Sequence, residues 1–224
     1  GHSVGDFLLG MMQSATRQTG WSRNYMRAWS LGLFFNDDFK LKPNLTLNLG
    51  LRYELSPPPV DRYDKIGNFV PSLGQTLIPR RTAVDDLDAL LALTGMTGRI
   101  GFANEVAYPR SLVFTDYNNL APRLGFAWRP WDARRTVVRG GYGIFYTGHL
   151  LNPIRNNLQN QFPFVFSETY SRNSSYPDRV TFSNPFPPEI RSLSGVTSAN
   201  GYEDHAASGY LQSYNLTIER DLGG

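Results

Sequence analysis

Large apolar side chains alternate with small or polar ones along several segments of the chain, most clearly over residues 45–55. Every odd position from Leu45 to Leu55 is leucine or tyrosine, whereas the even positions are Thr, Asn, Gly, Arg and Glu. This period of two predicts a β-strand with one apolar face and one polar face. A run of about 11 residues is also the length that a tilted strand needs to cross a bilayer.

Four other segments show the same alternation, and each has a polar or small face that includes glycine. The predicted strands cover residues 24–39, 45–55, 120–129, 135–146 and 210–220. Many short strands joined by turns are typical of sandwiches and barrels, so we predict an all-β fold of antiparallel strands in up-and-down order.

The predicted connections are alternately very short and very long. Residues 40–44 and 130–134 are tight links that contain Pro with Asn or Asp, which favour turns. Residues 56–119 and 147–209 are far longer than the loops of compact soluble domains. Short turns at one end of the strands and long loops at the other are typical of outer-membrane barrels, whose long loops are extracellular.

The first long connection contains a pattern typical of a short helix. Over residues 82–95, Thr82 would be the N-cap, an acidic residue follows three positions later, leucines have helical spacing and Gly95 closes the segment. The second long connection is rich in Asn, Ser, Pro and Phe. We expect it to be irregular and anchored by aromatic side chains.

Several charged residues in the predicted strands lie on the face opposite the large apolar residues. They are the six residues Arg52, Glu54, Arg123, Arg129, Arg139 and Glu219. A charge at mid-bilayer on the lipid face of a barrel would cost about 2–4 kcal/mol. We therefore expect these six side chains to face the lumen of a barrel or a plug domain inside it.

Alternation alone leaves a soluble antiparallel sheet open as an alternative, with its charged face in bulk water. The asymmetry of the connections favours the membrane barrel. Tyrosines and tryptophans near the strand ends would form the aromatic girdles of a barrel, or the core of a sandwich. They are Trp29, Tyr53, Trp128, Tyr146 and Tyr210.

Composition excludes several other classes. With 41% hydrophobic and 18% charged residues, the 224-residue chain is far from a disordered composition. It has no apolar run of about 18 residues, so an α-helical membrane protein is excluded. Cysteine is absent, which excludes disulfides and thiolate chemistry. The net charge of +3 comes from scattered residues rather than a basic stripe, so we expect no nucleic-acid partner.

Three motifs suggest binding or catalytic sites, but each has a simpler explanation. Gly140-Gly-Tyr-Gly143 lies inside a predicted strand and lacks the helix of a phosphate loop. Three acids match no calcium loop and favour a helix start instead; they are Asp85, Asp86 and Asp88. The histidines are widely separated and match no zinc or triad motif; they are His2, His149 and His205. We therefore predict no enzyme activity, cofactor or metal.

Five sequence blocks, spread in order over nearly the whole chain, resemble a known family. They are Gly5-Asp-Phe-Leu-Leu-Gly10, Phe34-Phe-Asn-Asp-Asp-Phe-Lys-Leu-Lys-Pro-Asn-Leu-Thr-Leu-Asn-Leu-Gly-Leu-Arg-Tyr-Glu54, Ala121-Pro-Arg-Leu-Gly-Phe-Ala127, Val138-Arg-Gly-Gly-Tyr-Gly-Ile-Phe-Tyr146 and Ser213-Tyr-Asn-Leu-Thr-Ile-Glu-Arg220. Together they resemble the barrel of TonB-dependent outer-membrane receptors. The resemblance is closest to the Oar-like group, whose members carry a carboxypeptidase-regulatory-like domain before the plug.

This resemblance implies a bacterial outer-membrane barrel of about 22 strands, filled by an N-terminal plug and driven by the inner-membrane TonB complex. The expected partners are that plug, the remaining barrel strands, the TonB complex, outer-membrane lipid and an external substrate of unknown identity. No plug, TonB box or barrel-closing strand is recognisable, and about five strands are fewer than the minimum of about 8 in a membrane barrel. We expect residues 1–20 to be a connecting segment and residues 21–224 to be part of the barrel of a larger receptor.

Three functions are consistent with these observations. The first is a segment of an active transporter, with strands as channel wall and long loops as the external recognition surface. The second is a passive porin or surface adhesin that uses the same barrel without energy coupling. The third is a soluble β-sandwich that binds carbohydrate, which would bury Leu47, Leu49 and Leu51 between two sheets.

Overall fold

The structure is a computed structural model that describes residues 3–20, 24–130, 136–148, 156–194 and 199–221. Its strands are β1 (Ser14–Gly20), β2 (Met26–Arg27), β3 (Leu31–Lys42), β4 (Leu45–Leu55), β5 (Val60–Asp61), β6 (Asn68–Val70), β7 (Gln75–Ile78), β8 (Ile100–Phe102), β9 (Leu120–Trp128), β10 (Thr136–Thr147), β11 (Val165–Ser171), β12 (Arg191–Ser194) and β13 (Gly209–Arg220). The α-helices whose bounds lie wholly within these residues include α1 (Ser3–Leu8) and α2 (Leu87–Thr94), and short 3-10 helices cover Arg81–Ala83, Ala103–Glu105 and Pro188–Ile190. Within the described ranges, no helix combines the length and the apolar character needed to span a membrane.

The chain divides into two compact units, each assembled from three separate segments. The first unit consists of Gly1–Arg27, Val60–Val113 and Leu151–Asp204, and the second of Ala28–Pro59, Phe114–Leu150 and His205–Gly224. The long strands belong to the second unit, whereas most of the two long connections belongs to the first.

A five-stranded antiparallel sheet forms the second unit, in the order β13-β10-β9-β4-β3. Strands that follow one another along the chain within this unit are neighbours in the sheet, so its topology is up-and-down. The prediction of an all-β, antiparallel up-and-down segment of about five strands is therefore confirmed. The short connection between β3 and β4 is a turn at Pro43 and Asn44, and residues 131–134 of the second predicted turn lie outside the described part.

The start of the first predicted strand is wrong. Residues 24–39 are not one strand, because β2 pairs with β5 in the first unit and a separate strand, β3, begins at Leu31. At its other end β3 extends to Lys42, since Lys42 still pairs with Leu45 after a register shift. β4 has the predicted bounds, and the ends of β9, β10 and β13 differ from the predicted ones by at most one residue.

The strand pairings place residues of the same face side by side across the whole sheet. Leu49 lies opposite Asp37 of β3 and Leu124 of β9. Leu124 in turn lies opposite Tyr142 of β10, which lies opposite Tyr214 of β13. Because successive side chains point to opposite faces, one face of the sheet collects most of the large apolar residues and the other collects small and charged residues.

Three buried hydrophobic clusters hold the first unit together. The central strand of the sheet β6-β7-β8 separates two of them, since Leu77 belongs to one cluster and the adjacent Ile78 to the other. A third cluster contains Tyr170, Val180 and Ile190. The long connections were expected to contain one short helix and irregular chain, but β5–β8, β11 and β12 give them regular structure as well.

The helix in the first connection is shorter than predicted. Thr82 is not its N-cap but lies in a 3-10 helix, and Val84 then has extended backbone (φ −130°, ψ 126°) that interrupts a continuous helix. α2 begins at Leu87, because Leu87 and Leu91 pack into a buried cluster. The predicted end is confirmed, since Gly95 has φ 68° and its N–H bonds to Leu91 and Ala92 carbonyls.

The N-terminal segment pairs with chain far from it in sequence. β1 runs antiparallel to β11 from the pair Ser14 and Ser171 to the pair Gly20 and Val165. β11 also pairs with β12, which completes a three-stranded sheet. The predicted connecting segment of residues 1–20 therefore contains a strand of the first unit.

Candidate functional site

The apolar face of the five-stranded sheet is exposed rather than packed against a second sheet. Leu49 is 41% exposed, Leu51 49% and Leu216 69%. None of them belongs to a hydrophobic cluster among the described residues. A sandwich core built on Leu47, Leu49 and Leu51 is therefore absent from the described part of the chain, which counts against the carbohydrate-binding sandwich.

Aromatic side chains mark both ends of this apolar face. At one end Trp128 lies opposite Leu45 and Val138, and at the other Tyr146 and Tyr210 face each other with ring centroids 6.0 Å apart. Eight residues of β10 separate the two levels, which is about 26 Å along a strand, or about 20 Å along the membrane normal at a strand tilt of about 40°. The apolar band of an outer-membrane barrel is about 25 Å tall. Another predicted girdle residue, Tyr53 of β4, lies opposite Leu120 of β9.

Five of the six predicted charged residues lie on the opposite, polar face of the sheet. The register places Arg52 opposite Ala121, Arg123 opposite Gly50 and Gly143, Arg139 opposite Ala127 and Thr217, and Glu219 opposite Val137, with Glu54 two positions beyond Arg52. All five therefore share one face, although they spread along it rather than converge on one point.

Contacts on the polar face are short-range pairs. Arg52 Nε donates to Glu54 Oε1 at 2.5 Å, and Arg139 lies 3.6 Å from Glu219 across β10 and β13. Arg123 stacks its guanidinium over another residue of the same face, 4.7 Å from the ring centroid of Phe145. Exposed ion pairs of this kind contribute about 0–1 kcal/mol to stability, so they are available to other partners at low cost.

The sixth residue, Arg129, lies just beyond the end of β9 rather than within a strand. Its backbone N–H donates to the Asn44 carbonyl at 2.8 Å and its Nη2 donates to the Pro43 carbonyl at 3.2 Å. Arg129 therefore holds the β3–β4 turn, and its prediction as a strand residue is wrong because β9 ends at Trp128.

Glycines make the polar face flat. A Cβ added at four of them would lie within 3.2 Å of a side chain from a neighbouring strand; the pairs are Gly32 with Arg52, Gly50 with Asn36, Gly125 with Asn48, and Gly141 with Asn215. These polar side chains lie across the glycines instead of projecting from the sheet. The glycines of the Gly140-Gly-Tyr-Gly143 motif lie inside β10, as predicted for strand glycines.

Three charged residues, missed by the sequence analysis, break the separation of the two faces. Lys42 and Arg220 do so at strand ends, opposite Leu45 and Thr136, and Asp37 does so within a strand. Asp37 lies opposite Leu49 and so shares the face of the leucines. The sequence carries a signal for this position, because Asp37 continues the odd positions of Leu31, Leu33 and Phe35. β3 is an edge of the described sheet, so the side of Asp37 away from β4 has no neighbouring strand in the described residues.

A buried carboxylate links three strands of the first unit. Glu168 of β11 is 2% exposed; Arg17 of β1 donates to it at 2.5 Å and Tyr170 at 3.0 Å, and Arg191 of β12 donates as well. Burial acts to raise the pKa of Glu168, but the hydrogen bonds and the two positive charges together lower it. Burial and the bond to Glu168 raise the pKa of Tyr170.

Two further buried carboxylates lie in the same unit and were also missed. Asp61 is 0% exposed and accepts backbone N–H bonds from Tyr25, Tyr63 and Lys65 at 2.6–3.0 Å. Asp64 is 1% exposed and binds two arginines from distant positions. No local motif marks Asp64, because its two arginine partners come from other parts of the chain, whereas Asp61 binds Tyr63 and Lys65 nearby as well as the distant Tyr25.

The remaining predicted motifs give no catalytic arrangement in the described part of the chain. His205 stacks on Phe114 with ring centroids 4.3 Å apart, whereas His2 and His149 lie outside the described residues. Asp88 forms an ion pair with Arg81. Where the structure describes the chain, no group of three or more His, Asp or Glu side chains could hold a metal ion.

A five-stranded up-and-down sheet with one exposed apolar face, aromatic ends and one charged face is the wall of an outer-membrane β-barrel. A protein-family model described as "Outer membrane beta barrel domain" matches residues 1–224, and the chain belongs to this family. Its location is therefore the bacterial outer membrane. Neither a search of curated proteins nor a search of solved structures found a match.

Proposed function

We propose that the chain is part of the barrel of a TonB-dependent transporter of the Oar-like group. Its long strands form channel wall, and its two long connections contribute to the extracellular surface that recognises substrate. In this role the chain moves a solute and makes or breaks no bond in it. Membership of the outer-membrane barrel family supports a role as part of a barrel. The sequence blocks that resemble TonB-dependent receptors support the assignment to an Oar-like transporter.

The observation that carries the proposal is the polar face of the sheet. Arg52, Glu54, Arg123, Arg139 and Glu219 lie there, opposite the leucines. A lumen filled by a plug domain supplies the water or polar groups that such charges need, and lipid does not. The flat, glycine-rich surface also allows close approach of a plug domain. Arg129 would lie at the end of this wall, beside the short turn.

Both edges of the sheet support pairing with further strands. Among the described residues, β3 pairs with β4 alone and β13 pairs with β10 alone. A free sheet edge inside a bilayer would leave backbone N–H and C=O groups without partners, at several kcal/mol each. The remaining strands of the proposed barrel would pair with these two edges and satisfy those groups.

The test is direct binding to TonB. We expect the parent gene to encode a plug domain with a TonB box upstream of these residues. We also expect purified full-length protein to bind the periplasmic domain of TonB saturably in a titration calorimeter, and deletion of the TonB box to abolish that binding.

Two outcomes would contradict energy coupling. One is a signal peptide followed directly by a barrel strand, and the other is full-length protein that does not bind TonB. Either outcome would favour the passive porin or adhesin that shares the same barrel wall.

A further inference from the structure

A pocket of about 420 Å³ opens within the first unit, apart from the five-stranded sheet. Its lining combines an ion-pair cluster with an apolar wall. The residues that line it are Asp64, Pro79, Arg80, Ala103, Asn104, Tyr108 and Arg110. They come from three stretches of the chain, brought together by the fold of the first long connection.

Asp64 lies at the base of the ion-pair cluster. Its carboxylate is 1% exposed, and Arg110 Nε donates to its Oδ1 at 2.5 Å. Arg80 donates to its Oδ2 through Nε and also contacts it through Nη2. One buried carboxylate thus holds two guanidinium groups in fixed positions.

Both guanidinium groups line the pocket and keep donors without protein partners among the described residues. The side chains of Arg80 and Arg110 are 55% and 48% exposed. Arg110 Nη2 donates to the backbone carbonyls of Asp61 and Arg62 at 3.0 and 3.1 Å. Within the described part of the chain, Nη1 of each arginine has no protein partner, so two N–H donor groups remain for a solute.

Protein donors occupy the nearby carboxylates, including that of Asp204, which accepts a bond from the Tyr108 hydroxyl. Asp61 is fully buried and its oxygens accept three backbone N–H groups. Asp64 is shared by the two arginines. The charges exposed at the pocket surface are therefore the positive charges of Arg80 and Arg110. The buried negative charges of Asp61 and Asp64 balance them.

The other wall of the pocket is apolar and rigid. The Tyr108 hydroxyl donates to Asp204 Oδ2 at 2.6 Å, which fixes the position of the phenol ring. Pro79 and Ala103 complete this wall, and Ala103 is 1% exposed. Asn104 is exposed at the pocket rim.

We infer that this pocket binds a small organic anion. Its carboxylate or phosphate group lies between Arg80 and Arg110, and its apolar part packs against Pro79, Ala103 and Tyr108. Fixed guanidinium groups suit both kinds of anion, because their planar fork matches two oxygen atoms. The binding statement stands on its own, whereas its interpretation as part of a substrate site rests on the proposed transport function.

Three probes of the same size test the inference on purified full-length protein in detergent at low ionic strength. They are benzoate, phenyl phosphate and the uncharged benzamide, titrated by calorimetry. We expect saturable binding of at least one anion, with benzamide at least about tenfold weaker. Which anion binds more tightly distinguishes a carboxylate ligand from a phosphate ligand.

Two variants localise the binding. Arg80→Lys/Arg110→Lys keeps both charges but removes the Nη donors, and we expect at least about tenfold weaker anion binding. Asn104→Trp fills the rim without touching the ion pairs and should abolish binding. Glu105→Trp is its matched control, since Glu105 is the exposed neighbour that does not line the pocket.

Two results would overturn the inference. One is no saturable binding of either anion up to about 10 mM, which is far above a Kd of about 1 mM, equivalent to about −4 kcal/mol. The other is unchanged anion affinity in folded Asn104→Trp protein. Circular dichroism checks that each variant is folded. Anion binding in a protein that fails to bind TonB would refute the transport proposal alone.

Discussion

Buried charges in the first unit are balanced by residues that lie far away in the sequence. Glu168 binds Arg17 across 151 positions, and Asp64 binds Arg110 across 46. Burial of a carboxylate is costly unless such partners are present. These side chains therefore hold separate parts of the chain together, and losing one partner leaves the other without its bond.

Glu168 should make stability dependent on pH in the acid range. Its pKa in the folded chain lies below the ordinary value of 4.5. The stabilisation is therefore complete above about that pH and is lost as the pH falls through the folded pKa. Glu168→Gln should cost about 1–3 kcal/mol at pH 7 and remove this part of the acid dependence. Denaturant midpoints of both proteins between pH 3 and 7 measure it, and identical pH profiles would contradict it.

At the level of elements, β1 depends on the glycine that ends it. Gly20 has φ +104°, and a Cβ there would lie 2.0 Å from the backbone oxygen of Phe164. Side chains other than hydrogen are excluded by both the backbone angle and the neighbouring strand.

Gly20→Ala should open the pairing of β1 with β11. We expect faster amide hydrogen exchange in both strands, because the clash is with backbone and cannot be relieved by a side-chain rotation. Gly74→Ala is the matched control, since Gly74 also has positive φ (+62°) but no atom within 4 Å of an added Cβ. It should cost only about 1 kcal/mol. Equal effects of the two changes would show that the contact with Phe164 is unimportant.

The two faces of β4 predict opposite responses to added charge. Leu49→Arg places a cation on the apolar face, in the middle of the strand, and should destabilise the membrane-inserted protein by about 2–4 kcal/mol. Asn48→Arg places the same charge on the polar face beside Asp38, whose Oδ1 accepts a bond from Asn48 at 2.6 Å. It should cost less than about 1 kcal/mol. Urea titrations in lipid vesicles measure both, and similar costs would contradict the assignment of faces.

At the scale of the whole molecule, the sheet contributes wall and the first unit contributes a packed body with its own buried clusters. The sheet exposes large apolar side chains such as Tyr214, which is 84% exposed. Exposed apolar surface of this extent is stable in contact with lipid and is an aggregation risk in water.

The full-length protein should therefore behave as an integral outer-membrane barrel. We expect it to fractionate with outer membranes. We also expect its migration on SDS gels to change on heating, because a closed set of strand hydrogen bonds resists detergent until it is melted. Unheated and heated aliquots of one sample make the comparison. Recovery as a soluble monomer after lysis would contradict the membrane assignment.

The sequence by itself determined which residues share a face in the long strands, since alternation is a property of the extended backbone. It indicated the leucines of β4 and the charges at Arg52, Arg123, Arg139 and Glu219. It did not determine where β3 begins. The residues before Leu31 are separated from β3 because β2 pairs with β5 instead of continuing into the five-stranded sheet.

Only the tertiary structure decided how the long connections fold and which charges they bury. The pairing of β1 with β11 and the convergence of Arg80 and Arg110 on Asp64 join residues that no local pattern relates. Such contacts depend on the path of the whole chain, and a period of two carries no information about that path. The sequence therefore specified the wall of a membrane barrel, whereas the pocket emerged only from the folded first unit.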